Sequence, residues 1–71
     1  MKINRFALQA IRQAQGVTLT ELASACELSL PHMSRIESGE RAAQPVTIRR
    51  LASVLGVPVL ALTERLDEEG S

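Results

Sequence analysis

Three places in this 71-residue chain carry the same local pattern. A residue able to cap a helix follows one apolar residue and precedes another by four positions. Asn4 sits between Ile3 and Leu8, Thr18 between Val17 and Leu22, and Ser29 between Leu28 and Met33. The capping oxygen accepts a hydrogen bond from a first-turn N–H, and the apolar pair closes over the entry as a staple. Thr18 also has Glu21 three residues on, which completes a capping box. Helices are therefore predicted over RFALQAIRQAQ, LTELASAC and LPHMSRIE. Pro31 starts the third and does not break it, because a first-turn N–H has no intrahelical partner to lose.

Two further helices follow. PVTIRRLASVL opens on Pro45 and is stopped by Gly56, with Ile48, Leu51, Ala52 and Leu55 at helical spacing. PVLALTERL, beginning at Pro58, reads as a fifth helix that fades into an acidic tail. The loop SGERAAQ separates the third and fourth. There is no internal repeat, low-complexity stretch or strand pattern.

Composition supports an all-α reading. Hydrophobic residues make up 45% of the chain, yet Phe6 is its only aromatic. The core must come from Leu, Ile, Val, Ala and Met, which suits packed helices better than a β-sandwich. A chain of this length holds one core and buries only about 60% of its unfolded surface, so every element has to contribute. A lone cysteine, Cys26, excludes an internal disulfide. No apolar run approaches the ~20 residues of a membrane span and no signal peptide is seen, so a soluble cytoplasmic protein is expected.

The formal net charge of zero hides a division along the chain. Residues 1–63 carry seven basic groups against four acids, about +3, whereas residues 64–71 carry Arg65 against four acids, about −3. The expected organisation is a folded domain over 1–63 and an acidic tail over 64–71. A basic excess confined to the folded part matters more for nucleic-acid binding than the overall isoelectric point.

Only Cys26, Glu27 and Leu28 separate the second helix from the cap of the third. So short a turn forces a sharp crossing, as in a helix-turn-helix, although a generic small helical bundle remains open on spacing alone. With LQAIRQAQGVTLTELA, LSLPHMSRIESGER and TIRRLASVLGV in this order, the chain resembles the phage repressor/Cro-like (XRE) helix-turn-helix family from about Phe6 to Leu62. The resemblance implies a five-helix, lambda-repressor-like DNA-binding domain. It also implies a dimer on operator DNA with the third helix in the major groove.

Carried onto these residues, the resemblance places Leu30, Pro31, His32 and Arg35 at DNA-facing positions. Helical geometry independently puts Pro31, Ser34, Arg35 and Ser38 opposite Met33 and Ile36. Thr18, Leu19 and Ser29 stand at helix starts that can meet phosphate, and by the same resemblance Arg41 falls in a loop that often approaches the DNA backbone or the minor groove. Arg12 and Glu37 match a family ion pair tying the first helix to the third. The chain departs from the family pattern at three positions. Leu19 replaces a phosphate-clamping glutamine, Glu27 stands for a frequent glycine, and Leu30 stands for a polar base reader.

Each of these readings has a plainer counterpart. Arg35 reads a base or phosphate, or is a solvated arginine. Leu30 touches a thymine methyl, or packs on its own turn. His32 touches DNA, or is merely exposed. Arg49 and Arg50 meet phosphate or water, and Cys26 is a buried structural thiol in preference to a redox sensor. Leu60 and Leu66 widen an apolar strip that suggests a dimer face.

No enzyme constellation, metal-ligand spacing, cofactor motif or small-molecule site is evident. The function expected is a sequence-specific transcriptional regulator, a dimeric repressor on a pseudo-palindromic double-stranded operator. An antitoxin, a restriction–modification controller and a protein-interaction module that has lost DNA binding are the alternatives.

Overall fold

The computed structural model describes residues 1–64. Four α-helices follow one another: α1 (Arg5–Ala14), α2 (Leu19–Ala25), α3 (Leu30–Ser38) and α4 (Pro45–Leu55). A single 3-10 turn, Val59–Leu62, comes after them. The three capped starts form as the sequence predicts. The Asn4 side chain accepts from the amides of Phe6 and Ala7, Thr18 and Glu21 make the reciprocal capping box, and Ser29 accepts from the His32 amide. Pro31 lies in the first turn of α3.

The expected fifth α-helix is not what the chain builds. Residues 59–62 make one 3-10 turn, and Thr63 returns to extended backbone, with φ −118° and ψ 155°. The cause lies at the other end of the chain. Ile3 and Thr63 form an isolated antiparallel bridge, the Asn4 amide donates to the Leu62 carbonyl at 2.7 Å, and the Glu64 amide donates to the Lys2 carbonyl at 2.8 Å. These bonds hold Thr63 in extended backbone, and a helix cannot run on through a residue so placed. The acidic tail beyond Glu64, with Leu66, lies outside the described residues.

The core is aliphatic throughout. Leu8, Leu22, Cys26, Met33, Ile36, Ile48, Leu51 and Leu62 are fully buried, one or more from every element or its cap. The staple residues Ile3, Val17 and Leu28 pack against the same cluster, so each helix entry is anchored by the core it helps to build. Each fully buried Leu, Ile or Met side chain contributes about 1.5–3 kcal/mol. Gly39 ends α3 in the left-handed region at φ 87°, as glycine readily does.

A candidate nucleic-acid interface

The short turn between α2 and α3 carries a conformational cost. Glu27 takes φ 61°, the only non-glycine positive φ among the described residues. A side chain there costs on the order of 1 kcal/mol relative to glycine. In return the Leu28 amide reaches the Ala23 carbonyl at 2.9 Å, closing the end of α2 before α3 begins. From α4, the Arg50 guanidinium donates to the Cys26 carbonyl at 3.3 Å and lies 3.8 Å from the Glu27 carboxylate. The turn is thus braced from below.

The inner face of α3 is fixed. Met33 and Ile36 are fully buried, and Glu37 is only 7% exposed. Arg12 on α1 meets the Glu37 carboxylate with two parallel hydrogen bonds, of 2.5 and 3.1 Å, and its remaining terminal nitrogen donates to the Val17 carbonyl at 2.9 Å. Gln9, one turn earlier on α1, donates to the Glu37 backbone carbonyl at 2.6 Å. The bidentate arrangement holds both partners at a single geometry.

The outer face is free. Leu30 is 44% exposed, and Pro31, Ser34, Arg35 and Ser38 are exposed with it. His32 is half-buried, and Arg41 is exposed just beyond the helix. Arg35 makes no ion pair among the described residues. Its backbone carbonyl is crowded instead, receiving the Ser38 hydroxyl at 3.1 Å and the amides of Glu40 and Arg41 at 2.9 and 3.1 Å. Ser38 also accepts from the Glu40 amide, so its hydroxyl is engaged in closing the helix.

The start of α2 is less open to phosphate. The Thr18 hydroxyl accepts from the Glu21 amide, and the Glu21 carboxylate takes the Thr18 amide at 2.8 Å. A carboxylate therefore already sits where an anion would approach. Leu19 is half-buried against the core, so its side chain works chiefly in packing. At the start of α3, Pro31 has no N–H and Ser29 takes that of His32, so few free donors remain there. What α3 offers outward is side chains.

Cys26 is fully buried, and burial pushes its thiol above the ordinary 9.0, with the Arg50 charge opposing in part. Sequence reasoning missed Gln9 and the bracing role of Arg50. Gln9 lies three residues before Arg12, on the same face of α1, and that spacing was a usable signal. The link from Arg50 to a turn 24 residues away left no local trace.

The family model for a helix-turn-helix domain matches residues 6–66. The chain belongs to the helix-turn-helix family. Its type is that of the phage repressor/Cro-like (XRE) proteins. It is 33% identical over 63 residues to the HTH-type transcriptional regulator DdrOP3 of Deinococcus deserti, covering 89% of this chain and 49% of that protein. It is 38% identical over 52 residues to the HTH-type transcriptional repressor RghR of Bacillus subtilis, covering 72% of this chain and 38% of that protein. The chain thus spans half the length or less of these curated relatives. Among solved structures, the restriction-modification controller protein C.AhdI of Aeromonas hydrophila superposes with a TM-score of 0.77 at 26% identity. That match covers 80% of this chain and 86% of that one.

Proposed function

We propose that this helix-turn-helix chain is a sequence-specific DNA-binding transcriptional regulator that acts as a two-fold dimer on a pseudo-palindromic operator. One observation carries the reading. The helix that the family uses as its reader is pinned on one face by Met33, Ile36 and the Arg12–Glu37 pair, and presents Leu30, Pro31, Ser34 and Arg35 on the other. Arg35 and Arg41 supply charge for phosphate or guanine, and Leu30 supplies an apolar surface for a thymine methyl. His32 and Ser29 stand beside them at the helix start, and Thr18 and Leu19 flank the site in supporting positions.

The dimer face is centred on Leu60, which is 79% exposed, the most of any large apolar residue described. Leu66, its companion in the sequence reading, lies outside the described residues. Similarity to a restriction-modification controller favours that role as a second reading within the same chemistry. The deciding measurement is a titration against random DNA and a library-selected operator at two salt concentrations. Affinity for both, falling as salt rises and stronger for the operator, is the expected result. No measurable binding to either at low salt would leave the fold as a protein-interaction module.

A further inference from the structure

Three cations without a carboxylate partner gather where α3 ends. Among the described residues Lys2 lies 3.9 Å from Glu64, Arg12 is paired with Glu37, and Arg50 lies 3.8 Å from Glu27. That leaves Arg5, Arg35, Arg41 and Arg49 without an ion pair, and Arg49 belongs to α4. The other three form one neighbourhood. The Arg41 amide donates to the Arg35 carbonyl at 3.1 Å. Arg5 lies so close to Gly39, the cap of α3, that an added Cβ there would stand 2.8 Å from its Nε. Arg5 and Arg41 line one groove of about 320 Å³, together with Lys2, Met1 and Phe6.

The groove is built on fixed backbone. The Asn4 amide donates to the Leu62 carbonyl and the Glu64 amide to the Lys2 carbonyl, so residues 2–4 are pinned to the body of the fold before α1 begins. The Arg5 guanidinium lies 4.2 Å over the Phe6 ring, a cation–π contact that holds its orientation. Met1 and Phe6, 61% and 66% exposed, leave apolar surface beside these charges. The lining carries three cations against one acid, Glu64, and so favours an anionic partner. A nucleic-acid strand alternates phosphates with sugars. An apolar floor beside guanidinium groups matches that backbone.

We propose that Lys2, Arg5 and Arg41 form a second phosphate-contact row, along which the DNA backbone passes from the end of α3 over residues 1–6. The inference rests on the DNA-binding reading above and deepens it. The outer face of α3 selects sequence, and the row adds affinity without sequence preference and lengthens the footprint beyond the bases that α3 reaches.

Salt titrations of the full chain on operator and random DNA test the row. Arg5→Gln should weaken binding to both DNAs several-fold alike. It should also lower the slope of log affinity against log salt by about one unit per subunit. Arg5→Lys, which keeps the charge, should recover most of that slope. An equal loss in Arg5→Lys would assign Arg5 to packing on Phe6 and overturn the proposal. Occupancy of the groove is the second readout. Ala42→Cys places a thiol in the groove and Ser53→Cys an exposed one on α4, while the native Cys26 is fully buried. Saturating random DNA should slow alkylation of the Ala42→Cys variant several-fold more than that of Ser53→Cys. An unchanged salt slope in Arg5→Gln, or an Ala42→Cys thiol as reactive on DNA as off it, would overturn the row and leave the reading by α3 standing. If the unaltered protein binds neither DNA, the DNA reading and the row fall together. Protection of the Ala42→Cys thiol by polyglutamate and not by DNA would overturn the row in favour of a protein-docking surface.

Discussion

Glu37 is the one charged residue buried among those described, and its worth depends on company. Two hydrogen bonds from Arg12 compensate the carboxylate, so removing either partner strands the other in a poorly solvated place. Arg12→Ala and Glu37→Ala should each cost about 3–5 kcal/mol in urea unfolding, and the double variant clearly less than their sum. Strict additivity would show that the pair has no energetic coupling. Glu27 presents the opposite case, a residue in a conformation better suited to glycine. Glu27→Gly should raise stability by under about 1 kcal/mol, because relief of the positive φ outweighs the added freedom of the unfolded chain. Its exposed contact with Arg50 contributes little. Cys26 supplies a pH signature. Its folded pKa is raised, so the stability it contributes is intact below pH 9.0 and is lost as pH rises through that range. The unaltered protein should lose stability above pH 9 faster than Cys26→Ala, and parallel profiles would rule the thiol out.

At the scale of elements, the reading role proposed for α3 assigns different jobs along its length. Leu30 occupies the first turn, the part of a reading helix that meets base edges, and has no hydrogen-bonding group. Leu30→Ala should weaken operator binding and flatten the preference at one base pair per half-site, with random-DNA affinity nearly unchanged. Arg35 lies more than a turn further on. If it reads guanine, Arg35→Ala should cost about 1–3 kcal/mol at that base and relax its identity. If it holds phosphate, the loss should be uniform across sequences, with a shallower salt dependence. Binding of both variants to operator and random DNA distinguishes these outcomes, and no change in either would remove α3 from the reading role. The elements themselves were legible wherever a local signal governs them. Asn4, Thr18 and Ser29 cap the helices they announce, and Gly56 stops α4. The expected helix from Pro58 misled because the helical periodicity of residues up to 64 is outweighed by hydrogen bonds to Lys2 and Asn4, some sixty positions away. The Arg12–Glu37 pair came from family resemblance alone, since nothing local joins residues 25 apart. The packing of Leu19 against the core was not legible from its place at the start of α2.

The described residues present one short helix, α3, for the proposed reading role, too little contact for useful specificity alone. A library selection should return two half-sites related by two-fold symmetry, with centres about 34–36 Å apart. Leu60→Glu should lower operator affinity more than it lowers affinity for one half-site, as sedimentation and binding together would reveal. A selected site without two-fold repeat, filled by one subunit, contradicts this. The bridge between Ile3 and Thr63 has a separate consequence at this scale. It brings the first residues of the domain against the last ones described, so the fold is nearly a closed ring in space although the chain is linear. Sequence added ahead of residue 1 or carried on past residue 64 departs from the same corner, whichever end encodes it. The order in which the helices are written along the gene is then a matter of where the ring is cut. The exposed stretch around Glu40 to Ala42 is the place where a circular permutant would be opened with least disturbance to the core.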